Sequence, residues 1–217
     1  MYNRVYSFVE THDILYKNQY GFRRKHSTVL AMVELVDTIY QNLDQNKYVL
    51  GIFLDLQKAF DTVDHDILLY KLYRLASVEQ PFTGSKATWG NRQQYTIVNE
   101  HSSKLCSIKT GVPQGSIIGP LLFLLYVNDI KDVVDSNRLK LFADDTNLFL
   151  YNSDLQCLIR NANEELQALY QWLLANKLSL NITKTCYSIF APNKKHRGNP
   201  NYTLMTTKFS ELTVANT

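Results

Sequence analysis

The chain has 217 residues, 45% of them hydrophobic and 20% charged, with a formal net charge of +3. That is enough apolar material for one sizeable core, which excludes a disordered or fibrous chain, and the mild basic excess permits a polyanionic partner without demanding one. Cys106, Cys157 and Cys186 share no CxxC or Cys/His spacing, which argues against a disulfide framework and a zinc site and fits a reducing, intracellular compartment, nucleus or cytoplasm.

After Ser27-Thr28, the residues Val29, Met32, Val33, Val36, Ile39, Tyr40 and Leu43 recur at three and four, predicting an amphipathic helix with an N-cap. Tyr48 to Leu54 is continuously apolar and β-prone, the signature of a central strand buried on both faces, and it delivers Asp55 at its C-terminal end. Asp64 to Leu75 reads as a helix, and Gln93 to Val98 and Leu105 to Ile108 as short strands. Gly119 to Val134 reads as a largely buried helix. The longest apolar stretch, Ile117 to Val127, is interrupted by Gly119-Pro120, so neither a signal peptide nor a membrane span is expected. Leu139 to Phe142 and Leu148 to Tyr151 alternate as two strands of a tight hairpin, with Ala143, Asp144 and Asp145 at its tip. Leu155, Leu158, Ile159, Ala162, Leu166, Leu169 and Leu173 mark another amphipathic helix, followed by a turn at Asn181 and a strand from Tyr187 to Phe190. From Pro192 periodicity fades into a polar tail, 192–217, carrying Lys194-Lys195-His196-Arg197 and expected to cap no element. Alternating helical and extended blocks give a mixed α/β pattern.

Adjacent carboxylates at a hairpin tip repel unless a positive charge lies between them or one is protonated. Asp55, Asp144 and Asp145 are the minimum set for two magnesium ions in one open site, since magnesium takes oxygen ligands and leaves positions for water and substrate phosphates. Polymerases and nucleases share that chemistry. Taken singly, Asp55 also suits a helix cap and Asp145 a turn.

Five blocks around these residues decide between the readings: Gln19 to Thr28 (QYGFRRKHST), Phe53 to Val63 (FLDLQKAFDTV), Gly111 to Ser116 (GVPQGS), Phe142 to Asp145 (FADD) and Leu180 to Thr185 (LNITKT). In this order and spacing the chain resembles the reverse transcriptase domain of non-LTR, LINE-type retrotransposons over about Gln19 to Ala191. Carboxylate chemistry alone does not predict the Pro-Gln-Gly-Ser block, which disfavours the nuclease. The resemblance implies an α+β fold, the right-hand polymerase palm of antiparallel sheet backed by helices, with a fingers remnant over 1–47, palm over 48–191, and no thumb. It implies RNA-directed DNA polymerase activity with an RNA template, a DNA primer, deoxynucleotide triphosphates and two Mg2+ ions, for which Mn2+ could substitute. Asp55, Asp144 and Asp145 match the metal ligands, and Leu56 would offer a backbone carbonyl. Phe60 matches the steric gate against a ribose 2′-hydroxyl, although it would also serve as ordinary core. Gln114 and Gly115 match the loop around the incoming sugar and template base. Lys184 matches a lysine that protonates departing pyrophosphate, and Arg23 and Arg24 fall where phosphates of template or nucleotide would be bound. Exposed lysine and a solvated basic face are the plainer readings of these last three.

Ala76 to Trp89 breaks the resemblance at unchanged length. Read one base earlier, codons for Ala76-Ser77-Val78-Glu79-Gln80 permit Gly-Ile-Arg-Gly-Ala, a string the family uses there, which points to a one-base deletion near Leu75 compensated near Gly90. The family's upstream fingers block, thumb and endonuclease are also expected to be missing. The alternative to an active domain is therefore a catalytically inactive retroelement remnant that at most binds nucleic acid.

Overall fold

A computed structural model describes residues 2–75, 93–113, 115–135, 138–192 and the backbone of 203–208. The chain divides into two compact units, one comprising Met1–Leu15 and Lys58–Asp129, the other Tyr16–Gln57 and Ile130–Thr217.

The second unit is built on a five-stranded antiparallel sheet. Its strands are β1 (Tyr48–Leu54), β6 (Leu139–Phe142), β7 (Asp145–Asn152), β8 (Cys186–Ala191) and β9 (Thr203–Lys208), in the order β6-β7-β1-β8-β9. The uninterrupted apolar run puts β1 at the centre, where Val49, Leu50 and Ile52 are fully buried, because a central strand packs on both faces. Its register pairs Leu54 with Thr146 on β7 and Val49 with Phe190 on β8.

Helix α2 (Thr28–Asp44) starts at Ser27, whose hydroxyl accepts from the Leu30 N–H at 3.2 Å. Leu35, Ile39 and Leu43 pack on Val49, Phe53, Phe149 and Phe190. Of the recurring apolar residues, Ile39 and Leu43 are thus packed, whereas Val29, Met32, Val33, Val36 and Tyr40 are exposed. Apolar side chains occupy two adjacent stripes of this helix, and periodicity cannot say which of two stripes meets the sheet. Helix α5 (Leu155–Ala175) is capped by Asp154, which accepts from the Cys157 N–H at 2.7 Å. It lays Leu166, Leu169 and Leu173 beside Leu54, on the face opposite Phe53 by strand alternation. The tail is a second correction. Thr203–Lys208 extends the sheet, pairing Ala191 with Thr203 and Cys186 with Lys208; Thr-rich sequence with weak alternation hides such an edge strand from pattern reading.

The first unit contains helices α1 (Tyr2–Thr11), α3 (His65–Leu75) and α4 (Gly119–Val127). Helix α1, which the sequence reading missed, buries Val5, Tyr6, Phe8 and Val9. The Asp64 carboxylate caps α3, accepting from the Asp66 and Ile67 N–H groups, both at 3.0 Å. Helix α4 is apolar all round and buried, but ends at Val127 rather than Val134, passing into a 3-10 turn over Asn128–Asp132. There the side chains serve tertiary partners: Asn128 donates to the Ile14 carbonyl at 2.8 Å and Asp129 pairs with Lys71 at 2.7 Å. Strands β2 (Gln93–Gln94), β3 (Ile97–Val98), β4 (His101–Ser102) and β5 (Cys106–Ser107) form two small exposed ladders, β2 with β5 and β3 with β4. The continuous strand expected over Gln93 to Val98 is therefore split. Ala76 to Trp89 lies outside the described residues.

Candidate active site

The pair Phe142↔Asp145 closes the β6–β7 hairpin, leaving Ala143 and Asp144 as its two-residue turn. Ala143 takes a φ of +57°, a left-handed conformation uncommon for a residue with a Cβ. Asp144 stands at the tip and Asp145 begins β7. On β1 the ladder ends at Leu54↔Thr146, so one further step in the same register sets Asp55 directly opposite Asp145. Strand alternation then puts both carboxylates on one face of the sheet.

Two polar contacts fix the end of β1. The Asp55 N–H donates to the buried Thr185 hydroxyl at 3.4 Å, and the Asp55 carbonyl accepts from the Asn181 N–H at 2.8 Å. These bring the Leu180–Thr185 segment alongside and set Lys184 Nζ 3.9 Å from the Asp55 carboxylate, with the lysine side chain 69% exposed. Leu56 bridges Leu180. The bonds of that bridge use the Asp55 carbonyl and the Gln57 N–H, not the Leu56 carbonyl.

The Asp145 carboxyl is held above its ordinary range, first by burial, then by the negative charges of Asp144 and Asp55, with Lys184 partly opposing. Three carboxylates thus share one electrostatic neighbourhood with a single loosely paired lysine, a donor set short of positive charge. Among the described residues no group of three His, Cys, Asp or Glu side chains is gathered to hold a metal by itself. Magnesium does not require such a cage, since it keeps several waters and binds through one or two carboxylates plus substrate phosphates. The donor set fits that mode.

Of the remaining sequence-predicted residues, Arg23 turns inward and donates from Nη1 to the Tyr16 carbonyl at 3.0 Å, whereas Arg24 is exposed. Phe60 belongs to the first unit, half-buried and stacked on Phe123 at 4.4 Å between ring centroids. Gly115, in the same unit, has a φ of +78° with open space where a Cβ would stand. Gln114 lies outside the described residues. Gln19, which the sequence reading left without a role, reaches the Ala143 backbone; its only signal was membership of the Gln19–Thr28 block.

The profile of the reverse transcriptase (RNA-dependent DNA polymerase) family matches residues 1–207. The chain belongs to the reverse transcriptase family. Among curated relatives, the RNA-directed DNA polymerase from mobile element jockey of Drosophila melanogaster is 30% identical over 196 residues, covering 87% of this chain and 21% of the relative. The RNA-directed DNA polymerase from transposon BS of the same species is a probable one by name and matches equally, at 30% over 196 residues. The Pol polyprotein from the type-1 retrotransposable element R2 of Popillia japonica is 29% identical over 131 residues, 58% of this chain and 17% of the relative. The chain thus spans about a fifth of the length of the jockey and BS relatives it matches. Solved structures agree on the fold: apo telomerase from Candida tropicalis superposes with a TM-score of 0.56 at 14% identity, covering 95% of this chain and 45% of that one. Telomerase from Candida albicans does so at 0.51 and 12%. Reverse transcriptases as a family work with divalent metal. Among the described residues no helix is long and apolar enough to cross a membrane.

Proposed function

We propose that the chain carries an RNA-directed DNA polymerase site that adds deoxynucleotides to a DNA primer 3′-hydroxyl on an RNA template, with Asp55, Asp144 and Asp145 holding two Mg2+ ions, or Mn2+ in their place. The observation that carries this reading is the register of β1 and β7, which ends at Leu54↔Thr146 and, continued by one step, would set Asp55 opposite Asp145 beside the Asp144 tip. Carboxylates set opposite one another on neighbouring strands repel unless a positive charge lies between them or one is protonated, and a bound cation is the resolution this reading adopts. Divalent ions in such sites activate the attacking hydroxyl and neutralise the leaving phosphate oxygen.

The chain's own residues do the rest. Asp144 and Asp145 would hold the ions from the hairpin and Asp55 from the end of the central strand, and the ions would supply charge neutralisation at the reacting phosphate. Lys184, free to swing from its 3.9 Å contact with Asp55, donates the proton to departing pyrophosphate. Leu56 offers its main-chain carbonyl. The Phe60 ring excludes a 2′-hydroxyl, Gln114 and Gly115 hold the sugar and template base, and Arg24 binds phosphates, joined by Arg23 only if it leaves the Tyr16 carbonyl. On this reading residues 1–47 serve as the fingers portion and 48–191 as the palm.

The Ala76–Trp89 break favours a second reading, an inactive remnant. Primer-extension and nuclease assays on one preparation separate the cases. Extension of a DNA primer on RNA, dependent on divalent metal, supports the polymerase; cleavage alone indicates a nuclease; neither activity indicates a remnant.

A further inference from the structure

The turn that carries Asp144 is held from outside the hairpin. Segment Asn18–Tyr20 lies along the outer edge of β6: the Tyr20 N–H donates to the Leu141 carbonyl at 2.8 Å, and the Leu141 N–H donates to the Asn18 carbonyl at 2.9 Å. Gln19 is thereby fixed at its backbone before its side chain does anything. That side chain is 2% exposed. Its Oε1 accepts two N–H groups, from Gly21 at 2.8 Å and from Ala143 at 3.0 Å, and its Nε2 donates to the Ala143 carbonyl at 3.4 Å. One carboxamide therefore binds both main-chain groups of the left-handed turn residue, as a paired strand would.

Gly21 closes the clamp from the other side. A Cβ at this position would lie 2.2 Å from the Ala143 nitrogen and 2.8 Å from its Cα, so only glycine lets the two backbones meet. Farther back, Tyr20 and Lys140 both bond the Glu34 carboxylate, the lysine at 2.9 Å, tying the same segment to α2 and β6.

We propose that Gln19 is a positioning residue for the catalytic turn, imposing the left-handed Ala143 conformation that aims Asp144. Its consequence for turnover rests on the polymerase reading above; its effect on the turn does not. Ala143 has no ladder partner and an unfavoured φ, so without the carboxamide the turn relaxes and the Asp144 carboxylate leaves its working position. Misplacement on an ångström scale lowers the chemical step by about 10²-fold.

The test uses the 217-residue chain with Gln19→Met, which keeps length and apolar bulk but can make none of the three bonds, and Gln19→Glu, which as the buried neutral acid keeps both acceptor bonds and an O–H donor toward the Ala143 carbonyl. Amide exchange at Ala143, followed by NMR, is expected to quicken about tenfold in Gln19→Met and to stay near wild type in Gln19→Glu. Leu148 and Leu150 amides within the sheet report that the fold is intact. Single-turnover primer extension is expected to fall about 10- to 100-fold in Gln19→Met with nucleotide KM nearly unchanged, and to recover to within a few-fold in Gln19→Glu. Unchanged Ala143 exchange in Gln19→Met overturns the clamp. Faster exchange with an unchanged extension rate overturns its positioning role. Should the wild-type chain extend no primer, the polymerase reading falls while the exchange measurement still decides the clamp.

Discussion

Replacing Asp145 with asparagine should make the folded chain more stable while removing the activity proposed for it. Asp145 continues the β1–β7 register opposite Asp55, next to Asp144, and like charges facing across antiparallel strands destabilise by roughly 0.2–1 kcal/mol. Asp145 is exposed as a residue although its carboxyl is partly desolvated, so water still screens part of that repulsion and the lower half of the range applies, about 0.5 kcal/mol. In a chain of 217 residues that corresponds to a rise in Tm of about 1–2 °C. The pH dependence supplies a sharper signature. The Asp145 carboxyl binds its proton more tightly when folded than the ordinary aspartate value of 3.8. Wild-type stability therefore falls as pH rises through the interval from that ordinary value to the raised folded one. The substituted carboxamide does not titrate, so the gain is full at pH 7 and disappears below about pH 3, where wild-type Asp145 is also neutral. Mg2+ should act oppositely, raising the wild-type Tm by ligand linkage and the variant's much less. Thermal denaturation of both proteins at pH 7 and in acid, with and without Mg2+, reads all of these together. A variant no more stable than wild type at pH 7, or a gain that persists unchanged in acid, refutes the opposed-carboxylate argument.

Other expectations follow from the same geometry. Phe60→Val should admit ribonucleotides, raising their kcat/KM relative to deoxynucleotides by about tenfold or more; unchanged sugar selectivity in single-nucleotide incorporation refutes the gate. Gly21→Ala must push its Cβ against Ala143 backbone 2.2 Å away and should destabilise by about 1–3 kcal/mol in urea titration, whereas a variant as stable as wild type shows the contact to be slack. In the first unit, burial lowers the Lys71 pKa against the raising pull of Asp129, and the ammonium also bonds the Tyr126 carbonyl at 2.5 Å. Asp129→Ala, which removes the charged partner of that part-buried ammonium, should therefore cost more stability than Lys71→Met, by about 1 kcal/mol or more; the reverse order refutes the account of that pair.

Features with local causes could be read from the sequence. The seven residues of β1, the Ser27 cap and the hairpin around Ala143-Asp144 each arise from neighbours a few positions apart, and the five blocks carried the family with them. Features decided by distant partners could not. Asp55 opposes Asp145 only through the β1–β7 register, and Gln19 meets Ala143 across 124 positions. Of the seven apolar residues that recur along α2, Ile39 and Leu43 meet the sheet together with Leu35, while Val29, Met32, Val33, Val36 and Tyr40 stay exposed, because the choice lies with the sheet's own surface. Strand β9 depends on the unpaired edge of β8 more than on its own residues.

The central claim is that Asp144 stands in a working nucleotide-transfer site, and single-turnover incorporation of one deoxynucleotide on an RNA-templated DNA primer tests it most directly. Asp144→Asn, which keeps the size of the side chain and removes its charge, is predicted to lower the rate by about 10²–10³-fold relative to wild type under Mg2+. Equal rates in the two proteins, or no incorporation by either, would contradict it.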